Sequence, residues 1–200
     1  MISKFFKEKI KENFPFEPTP EQEIALDKIV DFLFLQKEES IFLLRGFAGT
    51  GKSSLLGALV KTMTDFKQKT VLLAPTGRAA KVFSSYSNHP AFTIHKKIYR
   101  QQKYTGEQGN FGLMDNLHKD TLFIVDESSM ISNNGLDSYF GTGRLLDDLI
   151  HFVYSGENCR ILLIGDTAQL PPVGEDDSPA LQIAELAGYG LEVHDAMLSQ

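Results

Sequence analysis

Four continuous apolar runs punctuate the chain: IFLLRG (41–46), TVLLAP (70–75), TLFIVDE (121–127) and CRILLIGD (159–166). Each is closed by glycine, proline or an acidic residue. Apolar runs of this length without polar alternation predict strands buried on both faces, as in a parallel sheet covered by helices. Between them the period lengthens. KSSLLGALVKTM (52–63) and TGRAAKVFSSY (76–86) predict helices. Ahead of them TPEQEIALDKIVDFLFLQ predicts another, with Thr19 as N-cap and Pro20 at the first helical position. The opening MISKFFKEKIKENF reads as an amphipathic lead-in helix with a solvated face. Strand and helix in alternation predict an α/β doubly wound domain over residues 41–200, with residues 1–40 as a helical lead-in.

One stretch breaks the rhythm. YRQQKYTGEQGNFGLMDNLHK (99–119) is polar and rich in glycine and glutamine, with turns expected at Gly106 and Gly109. A hairpin or a mobile insertion is expected there. No internal repeat or low-complexity tract occurs.

Composition narrows the class. The chain has 200 residues, enough for one sizeable core. No apolar run approaches the roughly 18 residues needed to span a bilayer, so no membrane partner is expected. The start lacks a secretory apolar region. The single cysteine, Cys159, can form neither an intrachain disulfide nor a cysteine-based zinc site, and its apolar setting predicts a small buried hydrophobe. A reducing, cytoplasmic setting fits. Net charge is −6, which argues against coating nucleic acid by overall charge. Basic residues nevertheless thicken between Arg78 and Lys103, pointing to one candidate face.

The chemistry is carried by the strand ends. GFAGTGKS satisfies G-x-x-x-x-G-K-[ST] at Gly46, Gly51, Lys52 and Ser53, between an expected strand and an expected helix. Glycines allow the backbone to curl so that successive N–H groups converge on phosphate oxygens, and the following helix adds its N-terminal dipole. Gly46, Ala48, Gly49, Thr50, Gly51, Lys52, Ser53 and Ser54 are the candidate cradle for ATP. Lys52 is placed to reach the β- and γ-phosphates and the Ser53 hydroxyl to ligate Mg²⁺. Asp126 and Glu127 close the third strand, where ligands collect in α/β sheets. Asp126 is the second Mg²⁺ anchor and Glu127 the candidate general base for an attacking water. An adjacent pair of this kind favours water attack over transfer to a small acceptor. Asp166 and Gln169 end the fourth strand. Gln169 both donates and accepts hydrogen bonds, so it is either a γ-phosphate sensor or a polar turn before Pro171 and Pro172.

From Pro18 to Val173 these segments resemble, in order, the first motor domain of superfamily 1 helicases of the RecD-like branch. TPEQ is similar to the glutamine motif that recognises adenine, with Gln22 as its amide. GFAGTGKS is similar to motif I, APTGRAA to motif Ia, FTIHK to the T-I-H element, VDESSM to motif II and IGDTAQLPPV to motif III. The resemblance implies a P-loop NTPase of RecA-like fold, with helices on both faces of a parallel sheet. It implies ATP held against a second RecA-like domain, single-stranded DNA crossing both, 5′ to 3′ movement, and work beside other DNA-repair subunits. It assigns DNA contacts to Thr76, Arg78, Thr93 and His95. Hydroxyl, guanidinium and imidazole donors suit phosphate oxygens. Helix capping for Thr76 and core packing for His95 are the alternatives. In related enzymes the segment before motif II carries a strand-separating pin, so Tyr104 or Phe111 would stack on a base.

In that family an arginine-bearing motif and the second motor domain follow the point where HDAMLSQ ends this sequence. The expectation is therefore a chain that binds ATP and turns it over very slowly, since such an arginine contributes roughly 10³–10⁵ in rate. Two other readings stand beside it. A PhoH-like ATPase shares the phosphate loop and a GD…Q segment, but TPEQ, TIH and QLPPV speak against it. A non-catalytic nucleotide-dependent binding module has no need of Glu127. A small-molecule kinase is disfavoured, as no acceptor-site signature is visible.

Overall fold

The computed structural model describes residues 1–102 and 109–199. In chain order the elements are α1 (Ile2–Glu12), α2 (Pro20–Phe34), β1 (Ser40–Gly46), α3 (Lys52–Asp65), β2 (Lys69–Ala74), α4 (Gly77–Ser87), β3 (Ala91–Thr93), α5 (Ile94–Ile98), β4 (Tyr99–Gln101), β5 (Phe111–Leu113), β6 (Thr121–Val125), α6 (Leu145–Tyr154), β7 (Arg160–Asp166), α7 (Ile183–Ala187) and β8 (Glu192–Leu198). Six strands form one sheet in the order β3-β2-β6-β7-β1-β8. Every neighbouring pair in it is parallel. The four strands expected from apolar runs are β1, β2, β6 and β7, the central members. The edge strands β3 and β8 add to them.

Continuous apolar runs are explained by two cores, one on each face. Phe42 and Leu44 of β1, with Leu162 and Ile164 of β7, point into a core shared with Phe6, Ile10, Leu26, Leu55 and Leu59 of α1, α2 and α3. The intervening Ile41, Leu43, Ile161 and Leu163 point the other way, into a core with Leu146, Leu149 and Phe152 of α6. Each fully buried side chain of this kind stabilises by about 1.5–3 kcal/mol relative to exposure.

Helix α2 starts as its sequence predicts. The Thr19 side chain accepts from Gln22 N, the Gln22 side chain accepts from Thr19 N, and Pro20 holds the first turn. Its other end is capped by Arg160, whose guanidinium donates to the carbonyls of Phe32, Leu33 and Leu35 and lies 4.5 Å from the Phe32 ring centroid.

The irregular stretch contains a two-stranded antiparallel ladder, Tyr99–Gln101 against Phe111–Leu113. Gly109 lies just past this ladder, whose last cross-strand bond among the described residues is from Gln102 N to Asn110 O. Gly106 and Tyr104 lie outside the described residues. Cys159 is buried and donates to His118 O at 3.3 Å, and burial raises its thiol pKa, as a small buried hydrophobe requires. No helix among the described residues is long and apolar enough to cross a membrane.

Candidate functional site

Parallel strands bring their carboxyl ends to one edge of the sheet, and the sequence order puts different chemistry on each. β1 delivers the phosphate loop, β6 delivers Asp126 and Glu127, and β7 lies between them with Asp166 in register with Gly46. The interposed strand sets β1 and β6 two spacings apart, roughly 10 Å. The resulting cleft of about 320 Å³ is lined by Ala48, Gly49, Gly51, Lys52, Ser53, Asp126, Glu127, Gly165, Asp166 and Gln169. All four predicted catalytic residues, Lys52, Asp126, Glu127 and Gln169, therefore meet in one place.

The loop is shaped by two left-handed glycines, Gly49 at φ 81° and Gly51 at φ 82°. Gly51 is also the N-cap of α3, and no side chain caps that helix. Its first-turn N–H groups thus face the cleft without a side-chain acceptor, the arrangement that favours an anion. Lys52 Nζ donates to Gly46 O at 3.0 Å and Phe47 O at 2.7 Å, bent back on the loop it follows. Thr50 is buried and its hydroxyl donates to Phe47 O at 2.8 Å. Gly46 sits against Leu198 at the base of the loop, and Ser54 lines a neighbouring groove.

Gln22 stands behind the loop. Its Nε2 donates to Thr50 O at 3.0 Å while its Oε1 completes the capping box with Thr19. Both ends of the amide are engaged, and a Cβ on Gly51 would be driven into Gln22 Nε2. In this geometry Gln22 positions the phosphate loop.

On the opposite wall, Asp126 is tightly held. Its Oδ1 accepts from Glu127 N at 2.8 Å and its Oδ2 from the Tyr86 hydroxyl at 2.6 Å. Burial raises its pKa above the usual carboxylate range, and these two hydrogen bonds pull the other way. Glu127 follows with φ 54°, a left-handed backbone rare outside glycine and frequent at functional sites. Its Oε2 accepts from Gln169 Nε2 at 2.9 Å, and Gln169 Oε1 accepts from the Ser129 hydroxyl at 2.5 Å. Gln169 therefore bridges the ends of β6 and β7. Gly165 makes the close approach possible, since a Cβ there would lie 2.5 Å from Leu181 Cδ2 and 3.1 Å from Ser129 N.

The donor set fits Mg²⁺. Among the described residues no group of three metal-ligating His, Cys, Asp or Glu side chains is gathered. Mg²⁺ needs no such cage: one or two carboxylates with phosphate oxygens and water satisfy it. Ser53 and Asp126 supply a hydroxyl and a half-buried carboxylate facing one cleft. Among the described residues lining that cleft, Lys52 is the one basic side chain and faces three carboxylates, so a bound triphosphate calls for further positive charge.

The five predicted DNA contacts lie away from this cleft. Thr76 caps α4 by accepting from Ala79 N at 3.2 Å, and Thr93 caps α5 by accepting from Lys96 N at 3.2 Å. Arg78 is exposed in the first turn of α4. His95 packs edge-on to Phe140 at 4.8 Å, and burial lowers its pKa despite Asp137 nearby. It is therefore a neutral imidazole at neutral pH. Phe111 stacks on Phe140 at 4.8 Å, at the loop end of the β4–β5 ladder, where it pairs with Gln101.

Sequence reasoning missed Tyr86 and Ser129. Both reach the site through contacts 40 residues apart in sequence, Tyr86 to Asp126 and Ser129 to Gln169. VDESSM contains Ser129, but its partner was not legible. Tyr86 carried no signal at all.

The family model described as an AAA domain matches residues 19–189. The ATP-dependent RecD2 DNA helicase of Deinococcus radiodurans is 32% identical over 148 residues, 74% of this chain and 18% of that sequence. The ATP-dependent DNA helicase Pif1 of Bdellovibrio bacteriovorus is 32% identical over 158 residues, 78% of this chain and 33% of that sequence. The chain thus spans a third or less of these two relatives. Among solved structures, Pif1 of Bacteroides sp in complex with ADP-AlF4 superposes with a TM-score of 0.53 at 20% identity, over 92% of this chain and 42% of that one. Pif1 of Candida albicans gives 0.53 at 19% identity, over 91% and 40%. These structures share the RecA-like P-loop NTPase fold.

Proposed function

The chain belongs to the AAA-domain family, in its RecD-like and Pif1-like superfamily 1 helicase branch, and from that premise we propose that it is the ATP-binding half of an ATP-dependent DNA helicase motor. The observation that carries this reading is the meeting of Lys52, Ser53, Asp126, Glu127 and Gln169 on one cleft. Lys52 and the uncapped N–H groups of α3 hold the triphosphate. Ser53 and Asp126 hold Mg²⁺, which when bound neutralises phosphate charge. Glu127 accepts the proton of the attacking water, and Gln169, hydrogen-bonded to Glu127, senses the γ-phosphate. Single-stranded DNA runs over the face that bears Arg78, and Phe111 of the β4–β5 ladder stacks on a base.

Charge supports the need for a second domain. With Lys52 as the single cation among the described residues lining the cleft, transition-state charge needs an arginine from outside it. A second RecA-like domain is the proposed source, and this chain alone turns ATP over very slowly.

The test compares nucleotide binding and ATP turnover, with and without single-stranded DNA, for this chain and for a longer product carrying a second RecA-like domain. Mg²⁺-dependent binding by both, with DNA-stimulated turnover only in the longer protein, is the expected result. Duplex unwinding by this chain alone, or binding without turnover in both, would overturn it.

A further inference from the structure

Asp126 is gripped by a phenol. Tyr86, near the C-terminal end of α4, is partly buried, with its ring 5.2 Å from the Phe83 ring in the core. Its hydroxyl donates to Asp126 Oδ2 at 2.6 Å. The backbone N–H of Glu127 takes the other oxygen at 2.8 Å. With one donor on each oxygen, rotation of the carboxylate about its Cβ–Cγ bond is stopped. Each oxygen keeps one lone pair for another partner.

The same side chain borders the other oxygen ligand. Tyr86 and Ser53 line a common groove with Gly57 and Ala58 of α3. Tyr86 therefore holds Asp126 directly and borders Ser53, the two groups that the nucleotide cleft offers to a divalent cation.

Building on the Mg²⁺ assignment above, we propose that Tyr86 is a positioning residue for the divalent cation, holding the Asp126 carboxylate in the rotation that presents it to the metal beside Ser53. Mg²⁺ tolerates little departure from octahedral geometry. A carboxylate free to turn loses orientation each time it binds, whereas one locked by a partner does not. Partners of this kind change metal affinity by about 10–100-fold when removed. The role is separable from packing, because the Tyr86 ring contributes to the core and only its hydroxyl touches Asp126.

The test titrates Mg²⁺ into the chain at a fixed concentration of a fluorescent ATP analogue, for wild type and Tyr86→Phe. A parallel nucleotide titration is made in EDTA. Tyr86→Phe is expected to raise the Mg²⁺ midpoint about tenfold or more while leaving metal-free nucleotide affinity unchanged. Coincident midpoints, or an equal loss of affinity with and without metal, would overturn the proposal. Asp126→Asn provides the second background. With the anchor removed, adding Tyr86→Phe should move the midpoint no further, and a further shift would mean that the phenol acts elsewhere. If wild type binds nucleotide equally well with and without Mg²⁺, the metal assignment itself fails and the proposal falls with it. Intact Mg²⁺ dependence in wild type with no shift in Tyr86→Phe rejects only the role of Tyr86.

Discussion

Gln169 donates its amide N–H to Glu127 Oε2 at 2.9 Å, while Ser129 donates to the Gln169 carbonyl oxygen. The candidate base and the candidate sensor are therefore one hydrogen-bonded unit before any nucleotide is considered. Glu127→Gln keeps the shape of the contact and removes the proton acceptor. Turnover in the two-domain protein should fall by about 10²–10⁴ with nucleotide affinity retained. Gln169→Ala should also slow turnover without loss of binding, because it frees Glu127 to rotate. Single-turnover hydrolysis beside equilibrium nucleotide titration checks both. Equal losses in affinity and turnover would count against this division of roles.

Gln22 and Gly51 should behave as a coupled pair. Gln22→Ala leaves Thr19 N and Thr50 O without their partners, at a cost of about 1–3 kcal/mol, and loosens the loop. Gly51→Ala is strained by its positive φ and collides with Gln22 Nε2. The penalty of Gly51→Ala should shrink in the Gln22→Ala background, since half its cause is then gone. A double-mutant cycle by denaturant unfolding reads this coupling.

Asp126→Asn should raise the melting temperature of the metal-free protein while weakening, without abolishing, Mg²⁺-dependent nucleotide binding. Burial raises the Asp126 pKa, so the folded state holds a proton that the unfolded chain has already released. Its favourable contribution is complete below the unfolded carboxylate pKa and is lost as pH climbs through the folded value. The stabilising effect of the amide should therefore be larger at pH 7 than at pH 4. Equal shifts at the two pH values would show that burial of the charge is not the cause.

The DNA face separates two kinds of residue. Thr76→Val removes the cap of α4 and should cost about 1 kcal/mol of stability whether or not DNA binds there. Arg78→Glu touches no partner among the described residues and should leave stability alone. It should weaken single-stranded DNA binding and make its dependence on log salt shallower. Filter binding at several salt concentrations, with thermal melts alongside, distinguishes them. An unchanged salt slope for Arg78→Glu would remove it from the DNA track.

Local chemistry was legible in the sequence, and long-range partnership was not. The phosphate loop, Asp126 and Glu127 each announce themselves by type and spacing, and Thr19-Pro20 marks the start of α2 within one residue. Strand β8 escaped because it lies at the sheet edge and its side chains alternate irregularly between exposure and burial, so no apolar run forms. Helix α6 has a strongly apolar face, yet it follows a glycine-rich turn region with no capping side chain to flag its start. The second duty of Gln22, the phenol of Tyr86 and the bridge made by Gln169 depend on which strands are neighbours. Only the order β6-β7-β1 supplies that information.

Helix α2 is pinned at both ends by side chains rather than by packing alone. At its start Gln22 grips the phosphate loop through Thr50 O, and at its finish Arg160 clamps three carbonyls from the far end of β7. Fifteen residues of helix make a rod about 22 Å long. A rod fastened at each tip transmits displacement instead of absorbing it. A shift of the loop on nucleotide arrival would be felt at the opposite pole of the sheet, in the hydrogen exchange of Leu33 and Leu35, as well as in the cleft.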